Sequence, residues 1–145
     1  MQADKLRFKH QELTRKIIGV FYDVYNELGH GFLESVYEAA MLIALREAGL
    51  KAESQVPIAV YFRGNCVGDF RADLMVENAV LLELKAARTL DSSHEAQLLN
   101  YLCGTRIEVR LLLNFGIKPE FKRLAFDNDR KKITAEQNPA ADQRG

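Results

Sequence analysis

The chain has few of the features that assign a protein to a class at sight. Only two cysteines, Cys66 and Cys103, stand in its 145 residues. They form no Cys-x-x-Cys pair, and His10, His30 and His94 are scattered, which excludes a Cys/His zinc site. No apolar run approaches the roughly 20 residues needed to span a bilayer. Met1-Gln2-Ala3-Asp4 lacks the apolar stretch of a signal peptide. These absences predict a cytoplasmic protein with two reduced thiols and no membrane partner. An excess of one charge is missing too, with 20 Lys plus Arg against 20 Asp plus Glu. Proteins that bind nucleic acid over their whole surface usually carry a clear positive excess, so the balance argues against that class. No internal repeat and no low-complexity segment is present.

What is there suits one globular domain. A chain of this length buries about 70% of its unfolded surface, and 48% of its residues are apolar. Charge is unevenly placed. Residues 1–16 carry five basic and two acidic side chains, residues 17–100 six and twelve, and residues 101–132 eight and four. An acidic middle between basic ends fits a carboxylate site flanked by surface that contacts phosphate, and it also fits ordinary surface scatter.

Periodicity predicts the order α-α-β-β-β-α-β-β. Leu13, Ile17, Phe21, Val24 and Leu28 recur at steps of three and four and make one helical stripe, which Gly29-His30-Gly31 ends. A second helix is expected over about 33–48, with Gly49 closing it. Alternation predicts strands over 55–62, 67–76 and 80–86, the last two joined as a hairpin through Glu77-Asn78. Ser92 and Glu95 form a capping box for a third helix over about 93–103. Strands are expected over 108–115 and 121–126, with Gly116 and Pro119 as breakers between them. The domain then spans 1–126, and the polar residues 127–145 read as a disordered tail. Phe21, Tyr22, Tyr25, Phe32 and Phe70 read as core packing.

The most unusual stretch is Arg71-Ala72-Asp73-Leu74, followed by Glu83-Leu84-Lys85. Charges stand there in otherwise apolar strands, and burying a charge costs several kcal/mol unless it has a partner. Glu83 and Lys85 share a face, because strand side chains alternate. A hairpin symmetric about Asn78 sets Asp73 across from Glu83, about 5 Å apart at Cβ. Two carboxylates so close repel unless a cation lies between them. Mg²⁺ takes such oxygen ligands together with substrate phosphate. The plainer reading is an amphipathic strand with its charges in solvent. On the third helix, Gln97 and Tyr101 stand four apart on one face. Glu34 opens the second helix, where a carboxylate suits the helix dipole, with Tyr37 on the same side.

Gly31, Glu34 and Tyr37 match the pattern that names the GxxExxY proteins. The chain resembles that family further through Tyr-Phe-Arg-Gly, Arg71-Ala72-Asp73-Leu74, Glu83-Leu84-Lys85, residues 94–101 and Leu113-Asn114-Phe115-Gly116, in order, over about residues 8–126. The family is similar to a compact branch of the PD-(D/E)XK nucleases. The resemblance implies an α/β (α+β), restriction-endonuclease-like core with a mixed sheet flanked by helices. It implies a nuclease that hydrolyses nucleic acid, DNA in first place, with Mg²⁺ or Mn²⁺ as cofactor. Asp73, Glu83 and Glu34 become metal ligands, and Lys85 the catalytic lysine. Gln97 and Tyr101 resemble a helix pair that completes the catalytic set. Ala72 stands where the superfamily name has proline. Arg106, Arg110, Lys122 and Arg123 are expected at the nucleic-acid backbone. Two readings stand beside this one. The fold can serve as a non-catalytic nucleic-acid or protein-binding module, and the chain can pair with a second copy to grip a duplex.

Overall fold

The computed structural model describes residues 10–91 and 107–125. The expected third helix with Gln97 and Tyr101, the expected contact Arg106, and the expected tail 127–145 lie outside the described residues. Within them, α1 (Gln11–Leu28) and α2 (Glu34–Glu47) precede five strands: β1 (Ala52–Phe62), β2 (Asn65–Val76), β3 (Val80–Lys85), β4 (Val109–Phe115) and β5 (Pro119–Ala125). The strands form one sheet in the order β1-β2-β3-β4-β5. Every neighbouring pair is antiparallel except β3 and β4, which run parallel. A parallel pair needs a crossover connection, and residues 86–108 supply it. The sheet is therefore mixed, as expected.

Both helices pack on one face of this sheet. Ile17, Phe21 and Val24 from α1 and Tyr37, Met41 and Leu45 from α2 meet Leu74, Leu82, Leu84, Leu111, Leu113 and Phe115 in a single buried cluster. Phe115 anchors it, with Tyr37 stacked 4.0 Å away between ring centres and Phe21 edge-on at 4.9 Å. Such ring pairs add about 0.5–1.5 kcal/mol each beyond the area they bury. Phe21 is buried as expected, but Tyr22 and Phe32 are exposed at 36% and 45%. Ala72, Met75 and Leu81 form a second cluster on the other side. β4 is buried along its whole length, the mark of a strand inside the sheet. No helix among the described residues is long and apolar enough to cross a membrane.

Three strands start two or three residues earlier than the periodicity predicts. β1 begins at Ala52 and β2 at Asn65, because backbone pairing runs from Ala52 opposite Val76 to Phe62 opposite Asn65, beyond the alternating side chains. β5 begins at Pro119, expected as a breaker. Proline is tolerated at the first position of an edge strand, where its missing N–H costs the ladder nothing.

Candidate active site

The β2–β3 hairpin aims the site. Its turn residues Glu77 and Asn78 hold φ of 54° and 55°, the positive pair that a type I′ turn requires. Glu77 is tied down there by two bonds, one from its N–H to the Lys51 carbonyl and one accepted by its carboxylate from the Lys51 N–H. The turn pairs Val76 with Val80, Met75 with Leu81 and Leu74 with Leu82. One rung further, the same register sets Asp73 against Glu83. Backbone pairing stops at this rung. The Asp73 carboxylate instead accepts the Leu84 N–H at 2.7 Å, which orients it along β3.

The other neighbour of β2 departs from regular pairing at the same place. Ser54 pairs with Leu74 and Val56 with Ala72. Between them Gln55, level with Asp73, takes a left-handed φ of 53°. Its amide donates to Glu38 at 3.0 Å, and its carbonyl accepts from Arg71 at 2.9 Å. Side chains rarely hold such backbone strain unless their surroundings fix it.

Electrostatics bind the carboxylates into one unit. Burial is the largest influence on both. It pushes Asp73 above its ordinary range, against the Leu84 N–H bond, and the negative charge of Glu34 adds to it. Glu83 is pushed up to about 7 by burial and then by Asp73, while Arg110 and Lys85 pull the other way. The pair therefore competes for a proton near neutral pH, and a cation placed between the two would displace that proton.

Glu34 arrives from the helix side. Tyr37 is fully buried, and its hydroxyl donates to the Gly29 carbonyl at 2.6 Å and accepts the Phe32 N–H at 3.3 Å. These bonds fold the Gly29–Phe32 loop back onto α2, with Gly31 at a φ of 107° that favours glycine. α2 has no capping side chain. Its first residue, Glu34, reaches across to accept the Ala86 N–H at 3.2 Å, just past the end of β3. Gly31, Glu34 and Tyr37 thus share one local task, fixing a carboxylate at the end of the strand that bears Glu83 and Lys85.

The expected ligand set is only partly gathered. Among the described residues, no three His, Cys, Asp or Glu side chains converge into a ready metal cage. One oxygen of Glu34 accepts the Ala86 N–H, and its negative charge acts on Asp73. The pair alone still fits Mg²⁺, which commonly uses one or two carboxylates and leaves the rest to water and phosphate. Lys85 is half-buried at the end of β3, on the face of Glu83.

One of the expected backbone contacts stands elsewhere. Arg110 is not at the surface. It is fully buried, pairs with Glu83 at 3.1 Å and lies over the Phe70 ring at 4.9 Å. Position 110 is opposite Leu81 on the Glu83 side of the sheet, so its charge turns inward to the site. Arg123 is partly buried, and desolvation lowers its pKa. Lys122 is exposed.

The sequence reading also missed Asn114. It lies opposite Lys85 in the β3–β4 ladder and is fully buried. Its amide accepts the Ala87 N–H and donates to the Ala87 carbonyl, both at 2.9 Å, and reaches Glu120 at 3.3 Å. Glu120 in turn accepts the Leu90 N–H. Gly116 lets this segment pass close by, since a Cβ there would run into the carbonyl oxygens of Ala87 and Arg88. The available signal was a lone amide in the apolar run Leu111–Phe115, because a buried amide must find partners.

No curated protein matches the chain. Of solved structures, the crystal structure of SSO0001 is similar, with a TM-score of 0.50 and 18% identity over 95% of this chain and 70% of that one. At that identity the likeness concerns the fold alone. The model of the PD-(D/E)XK nuclease superfamily matches residues 11–124, which include both helices, all of β1 to β4 and most of β5. By that match the chain belongs to the PD-(D/E)XK nuclease superfamily.

Proposed function

We propose that the protein is a metal-dependent nuclease that hydrolyses phosphodiester bonds, with DNA as its substrate. The observation that carries this is the Asp73–Glu83 pair: two partly buried carboxylates facing each other across the β2–β3 hairpin, with a lysine two residues beyond Glu83 on β3. Asp73 and Glu83 would hold Mg²⁺, which when bound lowers the pKa of a water and polarises the phosphoryl oxygen. The residues of the chain do the rest. The Leu84 N–H orients Asp73, and Arg110 orients Glu83. Lys85 offsets charge that develops on the phosphate or positions the attacking water. Glu34 steadies Ala86, one residue beyond that lysine. Gln97 and Tyr101, and Arg106 and Lys122 as contacts to the nucleic-acid backbone, enter this proposal on the sequence alone. Within the superfamily, Gly31, Glu34 and Tyr37 support placement among the GxxExxY proteins.

A second reading, a nucleic-acid-binding module without chemistry, is favoured by the Glu83–Arg110 ion pair. That pair already compensates Glu83 without a metal. Calorimetry with Mg²⁺ and Mn²⁺ separates the two, with and without an oligonucleotide present to supply phosphate. The variant to compare is Asp73→Asn, which keeps an oxygen for the Leu84 N–H and removes the charge. Circular dichroism checks that it folds. Metal binding and DNA cleavage by the wild type, both lost in the variant, support the nuclease. Oligonucleotide binding with neither metal binding nor cleavage supports the module.

A further inference from the structure

Past Lys85 the chain turns into a short strap. Asn114 and Glu120 hold it by the backbone at Ala87 and Leu90, and Gly116 lets it lie close over the end of β4. Between this strap and the β4–β5 turn is a cavity of about 250 Å³, lined by Arg88, Thr89, Ile117, Lys118 and Glu120. The Glu120 carboxylate oxygen that takes the Leu90 N–H also takes the Asn114 amide, so its hydrogen bonds go to the strap and its holder. Arg88 and Lys118 are exposed, and among the described residues neither makes a hydrogen bond or an ion pair with protein. Two cations and a hydroxyl thus face one concavity whose wall is fixed by buried hydrogen bonds.

We propose that this cavity is a subsite for a backbone phosphate of the nucleic-acid strand, held by Arg88 and Lys118 with the Thr89 hydroxyl as a further donor. The inference rests on the nuclease reading and adds to it where the strand runs. Arg88 is three residues past Lys85, so their Cα atoms are at most about 11 Å apart. The phosphate here is therefore within a few nucleotides of the one at Lys85. Arginine suits the task, because its planar fork matches two phosphate oxygens at once.

The test is the salt dependence of oligonucleotide binding, read by fluorescence anisotropy in chelator so that no cleavage occurs. The wild type is compared with the double variant Arg88→Gln, Lys118→Gln, and with a control pair Lys51→Gln, Arg63→Gln. The control residues are exposed, flank the two ends of β1 and line no part of this cavity. Circular dichroism verifies folding of each. Loss of this phosphate contact makes the slope of log K against log salt shallower by about 0.7 on a single strand or about 0.9 on a duplex. At about 0.1 M salt that is a roughly 5- to 8-fold weaker complex. The control pair should leave the slope unchanged. An unchanged slope in the double variant, with the wild type binding DNA, overturns the subsite and leaves the nuclease reading standing. An equal change in the control pair also overturns it, since the effect would then be diffuse charge. Inorganic phosphate bound by the wild type and lost in the double variant, without a change in slope, assigns the cavity to a free anion and overturns the strand assignment. Failure of the wild type to bind any oligonucleotide overturns both readings.

Discussion

The guanidinium of Arg110 lies 3.1 Å from the carboxylate of Glu83, with the arginine side chain fully buried and the glutamate 15% exposed. A buried pair of this kind is costly to form and costly to break, because removing one partner leaves the other charge without compensation. Even with this partner, burial and the neighbouring Asp73 raise Glu83 to about 7. Burial thus keeps both carboxylates above their ordinary range, the condition in which such a pair takes up a proton or a cation.

Stability should therefore depend on pH in an unusual direction. The folded state raises Glu83 from 4.5 to about 7, so between those values the folded protein holds a proton that the unfolded chain has lost. The contribution is complete below about 4.5 and disappears as pH rises through about 7. Asp73, also raised, acts with the same sign. Denaturant unfolding in chelator is expected to show stability falling from about pH 5 to pH 8, by up to the order of 3 kcal/mol for Glu83. Glu83→Gln should flatten that fall. A wild-type stability that climbs over the same window contradicts the assignment.

Lys85 is expected to separate chemistry from metal binding. It sits two residues beyond Glu83 on the same face, and its charge lowers both carboxylates. Lys85→Met keeps the bulk of the stem and removes that charge. Turnover of DNA under single-turnover conditions should fall by about 10²-fold or more, the scale seen when a preorganised stabilising group is lost. Mg²⁺ affinity, read by calorimetry, should hold or increase, because a competing cation has gone. A parallel loss of metal affinity and turnover would make Lys85 a structural support for the pair.

The hairpin is the part of this site that could be read in advance. Strand alternation and a turn centred at Asn78 are both local properties, so Asp73 opposite Glu83 follows from counting, and the structure has that register. The third strand and the helical stripe of α1 were legible for the same reason, whereas the mixed sheet was expected from the order of elements and the family resemblance. Arg110 was not. Parity assigns it a side of β4, but only the pairing of β4 beside β3, two elements distant in sequence, brings it to Glu83. Asn114 is a similar case, since its partners Ala87 and Glu120 lie 27 and 6 residues away. The left-handed Gln55 leaves no trace in composition, because its conformation is imposed by Glu38, Arg71 and the gap in the β1–β2 ladder.

Tyr37 links the core to the site, and substituting it should show which of its two roles matters more. Its ring stacks on Phe115 within the main cluster, while its hydroxyl holds the loop that leads into Glu34. Tyr37→Phe keeps the stack and removes both loop bonds. The expected cost is about 1–2 kcal/mol for partly buried hydrogen bonds, or a fall in Tm of about 3–8 °C for a chain of this size. Tyr37→Ala should cost about 3–5 kcal/mol, since it opens a cavity beside Phe115 as well. The loop predicts a second consequence. With the hydroxyl gone, Glu34 loses part of its support, so the Ala86 amide should exchange its hydrogen faster in Tyr37→Phe than the overall loss of stability accounts for. If Ala86 exchange changes only in step with global stability, Tyr37 serves the core alone, and the position of Glu34 is set by α2 without the loop.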